Sequence, residues 1–136
     1  MIDTHRETDA RALRRLLANG PLDNVPKRPA DQELLVRLAA ATLDEGREYG
    51  EAELNEHLKT WLATFTAAYG IDHVTLRRML IDSRLMARTK SGSMYALNPA
   101  RREGWESLRD VRPEEVLEDV RREREARKRS ARERSA

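Results

Sequence analysis

HVTLRRMLIDSRLMARTKSGSMYAL, residues 73–97, is the stretch that decides the fold. Leu76 and Leu80 lie one helical turn apart, which predicts a helix with an inward apolar face. From residue 86 to residue 90 the side chains alternate between two faces instead, as in a strand. Gly92 supplies the backbone freedom that a tight hairpin turn needs, and Tyr95 lies on the return strand. A helix followed directly by a small basic hairpin is typical of the recognition helix and wing of a winged helix-turn-helix.

Apolar spacing in the preceding residues predicts three further helices that support this unit. The first ends at Asn19-Gly20-Pro21, and the second runs from about Ala30 to Leu43. The third begins near Glu51, and we expect Gly70 to be its C′ residue. Arg47-Glu48-Tyr49 predicts a very short strand beside the wing.

The sequence after the wing predicts a helical extension. Trp105 and Leu108 are the apolar anchors of the segment that follows Leu97, and Pro113 starts a last helix whose first turns dock through Val120. The fold class is therefore mainly α with a small β-hairpin: a winged helix-turn-helix with additional N- and C-terminal helices. The predicted divisions are an N-terminal helix (1–21), the winged-helix domain (22–97), a C-terminal helical extension (98–120) and a basic solvated tail (121–136).

Composition limits the class of protein. The 136 residues are 39% hydrophobic and 37% charged, which allows one domain with one modest core. There is no cysteine, so no disulfide framework is expected. The charged N-terminus and the lack of a long apolar run predict a cytoplasmic protein without a membrane partner. The net charge of +2 averages an acidic-to-neutral body and a tail, residues 121–136, with eight Lys/Arg against three Glu.

Four motifs, taken in order, carry a resemblance to a known family. They are Pro26-Lys27-Arg28; Arg47-Glu48-Tyr49 followed by Glu51, Glu53-Leu54-Asn55 and Leu58; Thr75-Leu76-Arg77-Arg78 followed by Leu80-Ile81-Asp82; and Gly92-Ser93 followed by Tyr95. Together they resemble the bacterial DUF2087 family, whose members occur alone or appended to transcription-regulator domains. The resemblance implies a DNA-binding or regulatory role. Residues 75–80 also resemble the recognition helix of DeoR-type repressors, in which the threonine and arginines face DNA.

The chain departs from the family pattern at three places. Arg84 replaces a common glycine at the end of the recognition helix, and Val25 takes the place of a common apolar aromatic residue before Pro26. The stretch between Asn55 and Leu76 is longer than usual, which we interpret as an extended third helix.

A helical wheel separates the candidate DNA-contacting residues of the recognition helix. Thr75, Arg78 and Asp82 fall on the exposed face, whereas Arg77 and Val74 fall within the apolar arc. Arg77 either contacts DNA or is held by a carboxylate such as Glu53, since an unpaired buried charge is costly.

The wing supplies two more cations, which either contact phosphates or solvate an edge strand. The candidate nucleic-acid-binding residues are Thr75, Arg77, Arg78, Arg88 and Lys90.

No other chemistry is indicated. The histidines, His5, His57 and His73, lack metal-ligand spacing, and no nucleophile motif or phosphate-binding loop is present. We therefore expect no metal, no cofactor and no enzymatic activity.

Two functions remain open from the sequence. The first is a DNA-binding transcriptional regulator whose partner is double-stranded DNA. The alternative is a winged helix that serves as a protein-interaction or dimerisation module, with a homodimer or protein partner bound through the terminal helices. Near-neutral charge and Asp82 favour the alternative, whereas the Thr-Leu-Arg-Arg segment and the basic wing favour DNA. The basic tail is either a nucleic-acid-binding arm or a soluble end.

Overall fold

The computed structural model describes residues 4–135, and the side chains of residues 8–135. Residues 4–135 form five α-helices and three short strands, with two short 3-10 helices between the last strand and the last α-helix. The α-helices are α1 (Thr4–Leu16), α2 (Pro29–Ala40), α3 (Glu51–Ala63), α4 (His73–Asp82) and α5 (Pro113–Ser135); the strands are β1 (Tyr49–Gly50), β2 (Met86–Arg88) and β3 (Met94–Leu97); the 3-10 helices are Pro99–Gly104 and Glu106–Leu108. This mainly helical, winged-helix-like architecture confirms the predicted fold class.

The three strands form one antiparallel sheet in the order β1-β3-β2. Tyr49 pairs with Tyr95, which confirms a short strand beside the wing, although the strand begins at Tyr49 rather than at Arg47. At the wing tip the N–H of Thr89 donates to the carbonyl of Met94 (2.8 Å), and Gly92 has a φ of +74°. Gly92 adopts this left-handed conformation without a steric cost, because it has no Cβ.

Helix α4 packs as its apolar spacing predicts. Leu76 and Leu80 are fully buried, and the carboxylate of Asp72 caps the helix by accepting from the N–H of Val74 (3.3 Å). The prediction that Val74 faces inward is wrong, since it is 36% exposed. Val74 lies at the edge of the apolar arc, in the first turn, so it borders a surface cleft instead of entering the core.

The prediction of an extended third helix that ends at Gly70 is wrong. Helix α3 ends at Ala63, and residues 64–72 form an irregular connection that pairs with the N-terminal side of the domain. In it, Leu22 forms a parallel bridge with Thr66. A Cβ on Gly70 would lie 3.0 Å from the carbonyl oxygen of Asp23. Gly70 is therefore required for close backbone approach rather than for helix termination.

Arg84, at the position where the resembled pattern has a glycine, ends α4 in the backbone conformation that a glycine would adopt. Arg84 has a φ of +65°, in the left-handed region that favours glycine. Its carbonyl accepts a hydrogen bond from the side chain of Asn98 (3.0 Å), which lies just after β3. The helix thus ends with the backbone conformation that a glycine would adopt, at the steric cost of a Cβ.

One hydrophobic core joins the central unit to the segments on either side of it. The cluster that buries Leu76 also buries Leu13 of α1, Leu17 just after α1, and Trp105 and Leu108 between β3 and α5. The Nε1 of Trp105 is buried and has no hydrogen-bond partner among the described residues.

A polar cluster links the same segments. Arg37 on α2 donates two hydrogen bonds to Asp9 on α1 (2.9 and 3.0 Å) and one to the carbonyl of Gly104 (2.6 Å). The side chains of Arg37 and Asp9 are only 18% and 14% exposed. This largely buried pair holds both flanking segments against α2.

Helix α5 packs on α1 near its own start. Val120 is buried, and one ion pair joins Glu123 to Arg14 (2.5 Å). From Glu125 to Ser135 every residue is exposed. No helix in the described part of the chain combines the length and apolarity needed to cross a membrane.

Candidate nucleic-acid interface

An open cleft of about 220 Å³ separates α4 from the wing. The residues that line it are Val74, Arg77, Arg78, Ile81 and Asp82 from α4, Arg88 from β2 and Tyr95 from β3. Three of the five predicted DNA-contacting residues, all of them arginines, therefore meet in one place. Thr75 and Lys90 are exposed but lie outside the lining of this cleft.

The pleat of the wing places Arg88 at the cleft. Met86 and Arg88 are two residues apart on β2, so they share one face of the sheet, and Met86 is buried. Arg88 pairs directly with Tyr95 across the strands. Arg88 therefore lies on the same face of the wing as the buried Met86, and its guanidinium faces α4.

The Tyr95 ring is the central feature of the cleft. The guanidinium carbons of Arg88 and Arg77 lie 5.4 and 5.8 Å from the ring centroid. At these distances a cation is attracted to an aromatic ring. One buried tyrosine therefore orients an arginine from the wing and an arginine from the helix.

Arg77 is held from α3, but by different partners from the one predicted. Its Nη1 donates to Oδ1 of Asn55 (2.6 Å) and lies 3.2 Å from Oε1 of Glu51. Glu53 instead pairs with Arg47 (2.6 Å), so the prediction of Glu53 as the partner is wrong. Glu51 and Asn55 are four residues apart and share one face of α3, whereas Glu53 projects from another face.

The partly buried position of Arg77 is confirmed: only 16% of its side chain is exposed. Arg78, its neighbour, is exposed as predicted. Among residues 8–135, the side chains of Arg78, Arg88 and Lys90 form no ion pair. These three cations are therefore available to a ligand, whereas Arg77 is already engaged.

The local charge is strongly positive. Residues 73–97 contain five Lys/Arg and one acid, Asp82, although the whole chain carries only +2. Asp82 lies in the cleft with the arginines. The surface thus favours anions, with one carboxylate that would repel a phosphate placed against it.

Tyr95, Asn55 and Glu51 were missed as components of this site. A signal for Tyr95 was present, because its position opposite Arg88 follows from the hairpin register. The roles of Asn55 and Glu51 depend on how α3 packs on α4, which no local pattern contains.

His57 and His73 do not line this cleft, and the side chain of His5 lies outside the described residues. Burial lowers the pKa of His57, whose Nε2 is 2.8 Å from Oγ1 of Thr42 on the other side of α3. Within the described residues no group of three His, Asp or Glu side chains could hold a metal ion.

The fold and the cleft define a winged-helix-like protein with a basic surface between helix and wing. Residues 21–97 match the sequence model of the family described as an uncharacterized protein conserved in bacteria (DUF2087), and the chain belongs to that family. The matched residues include α2 to β3 and all five candidate residues, whereas α1 and α5 lie outside them. No curated protein and no solved structure matches this chain.

Proposed function

We propose that the protein is a DNA-binding transcriptional regulator that binds double-stranded DNA through α4 and the wing. The observation that carries the proposal is the convergence of Arg77, Arg78 and Arg88 on one open cleft. Winged helices place such a helix in the major groove and the wing against the backbone. In this arrangement Arg78 faces base edges together with Thr75, and Arg88 and Lys90 contact phosphates.

Arg77 has a supporting role in the proposed complex. Its Nη1 donates to Asn55 and its guanidinium lies near the Tyr95 ring, so the arginine adds positive potential from a fixed position. Asp82 has a selective role. A carboxylate in a major groove accepts from the amino group of cytosine and repels phosphates, so it disfavours binding in other registers.

The test is selection of bound duplexes from a random pool at two salt concentrations, followed by affinity measurements on the selected sequence. Arg78→Ala should weaken binding by about 1–3 kcal/mol and relax sequence preference. Arg88→Ala should weaken binding to all duplexes and lower the salt slope by about 1. Arg101→Ala, an exposed cation outside the cleft, is the control and should bind as the parent does. A parent protein that selects no sequence and binds no duplex at low salt would refute the proposal.

A second candidate, a protein-interaction module, is favoured by a different surface. Tyr69 is fully exposed with a φ of +62°, beside an open cleft of about 640 Å³ that is lined in part by Leu62, Ala63 and Ile71. An exposed aromatic side chain beside apolar residues is typical of a protein contact. If this module is the function, Tyr69→Ala should abolish self-association or partner binding and leave any DNA affinity unchanged.

A further inference from the structure

The second half of α5, residues 121–135, is a helix without a packing partner for most of its length. At 1.5 Å per residue it is about 22 Å long. Val120 is the last buried residue before it, and the only apolar side chains within it are Ala126 and Ala131. These residues therefore contribute almost nothing to the core, and their charges need another explanation.

Two of the three cations at the start of this half are paired with acids on the same helix, whereas Arg124 donates to the carbonyl of Ala18 (3.4 Å). Arg121 donates to Glu118 (2.9 Å) and to Glu125 (2.6 Å), and Arg122 donates to Asp119 (2.9 Å). The hydrogen bond between Arg121 and Glu118 raises the pKa of the arginine and lowers the pKa of the carboxyl group. These pairs stabilise the helix and leave little net charge in residues 118–125.

The cations after Glu125 are not neutralised. Five exposed side chains, which we call the basic arm, form no ion pair with any described residue: Arg127, Lys128, Arg129, Arg132 and Arg134. Glu133, the one acid among them, likewise forms no ion pair within the described part of the chain. The charges of α5 are therefore segregated, with balanced pairs near the core and an uncompensated cationic end.

We propose that the basic arm binds the phosphate backbone of DNA, without regard to sequence, as a contact separate from α4 and the wing. Four of its five cations are arginines, whose planar guanidinium donates two parallel hydrogen bonds to phosphate oxygens. Neutralising several phosphates releases condensed counterions, which supplies sequence-independent affinity.

The composition of the arm favours a nucleic-acid backbone over a lipid surface or a protein partner. A helix that lies on a lipid surface needs a face of large apolar side chains, and none is present in residues 121–135. A stable protein interface likewise needs buried aromatic or aliphatic anchors. Binding to phosphates needs only several exposed cations close together.

The test measures DNA affinity of the full chain in which all five arm cations are changed to Gln. Glutamine removes the charge and keeps nearly the same helix propensity, so circular dichroism should show an unchanged helix content. Binding to two unrelated duplexes of about 30 base pairs is followed by fluorescence anisotropy between about 50 and 200 mM salt. We expect the slope of log K against log salt to fall by about 2–4, and affinity near 100 mM to fall at least about tenfold, equally for both duplexes.

A charge-matched variant is the control. It carries five exposed cations changed to Gln outside the arm, α4 and the wing: Arg11, Lys27, Arg28, Arg101 and Arg112. Both variants lose the same net charge, so an effect of net charge alone would appear equally in both. We expect the control to keep the parent slope to within about 1.

The inference is independent of the proposed function, and the outcomes separate the two. A third variant, Arg78→Gln with Arg88→Gln, removes the cleft cations and keeps the arm. If the arm variant and the control lose affinity equally, or neither loses any, the inference is overturned, whatever the cleft variant does. If only the arm variant loses affinity, the inference stands and the proposed role of α4 fails. A parent chain that binds no duplex overturns both.

Discussion

Arg77 and Arg78 are adjacent on α4, yet their side chains have different surroundings. Arg77 donates to Asn55 and contacts the Tyr95 ring, whereas Arg78 is exposed and forms no ion pair with the described residues. A rotation of 100° between neighbouring helical residues is enough to place one side chain against α3 and the other in solvent. The two positions should therefore separate stability from binding.

Arg77→Ala should lower the free energy of unfolding by about 1–2 kcal/mol, because it leaves the Asn55 side chain without its charged donor. Glu51 is 58% exposed, so the loss of its ion pair adds little. Arg78→Ala should change stability by less than about 0.5 kcal/mol. Urea unfolding of both variants measures this difference. Destabilisation by Arg78→Ala alone would mean that α4 is rotated from the observed orientation.

At the scale of elements, α4 is stabilised by two buried leucines. Leu80→Ala should lower stability by roughly 2–5 kcal/mol, because it removes a fully buried side chain and leaves a cavity. Val74→Ala, on the same helix but 36% exposed, is the matched control and should stay within about 0.5 kcal/mol. Thermal melts of the two variants provide the measurement. Equal effects would show that the first turn of α4 is buried in solution.

The wing depends on register as much as on composition. Pairing of Met86 with Leu97 and of Arg88 with Tyr95 puts all four side chains on the face toward α4. A shift of one residue in the pairing of β2 with β3 would move Arg88 to the opposite face of the sheet and remove it from the cleft. The buried side chains of Met86, Tyr95 and Leu97 therefore also fix the position of the cation.

At the scale of the whole molecule, Arg37 connects three segments. Arg37→Ala should lower stability by roughly 2–4 kcal/mol, because it leaves the largely buried carboxylate of Asp9 and the carbonyl of Gly104 without a donor. Arg102→Ala breaks an exposed ion pair with Glu45 and serves as the control, with little expected change in melting temperature. An Arg37 variant as stable as the control would show that the contacts of Arg37 are not needed to hold α1 and residues 99–108 in place.

Truncation defines how much of α5 the fold needs. A chain that ends at Val120 should still unfold cooperatively, because the polar contacts that it loses with the rest of the fold are an exposed ion pair between Arg14 and Glu123 and one hydrogen bond from Arg124 to Ala18. The other lost pairs, such as that between Arg121 and Glu118, are exposed and lie within α5. A chain that ends at Arg112 should be much less stable, since it also loses the buried Val120. Calorimetry compares the two, and loss of cooperativity in the longer chain would make the second half of α5 structural.

Local patterns in the sequence determined the elements and most of their buried faces. The one-turn spacing of Leu76 and Leu80 predicted the buried face of α4. The change to alternating side chains at Met86 predicted the first strand of the wing. The proline and acids at residue 113 marked the start of α5. These features depend on residues a few positions apart, so one sequence is enough to predict them.

The tertiary structure alone decided the partners of the charged side chains and the path of residues 64–72. Arg77 pairs with Asn55 and Glu51 rather than with Glu53. Arg37 pairs with Asp9 and Gly104. In both cases the orientation of the packed helices determines which carboxylate or carbonyl lies within hydrogen-bonding distance of the arginine. Gly70 fits against Asp23 for the same reason. Charged residues make up 37% of this chain, so their possible pairings are numerous and nearly equal in energy until the apolar core fixes the geometry.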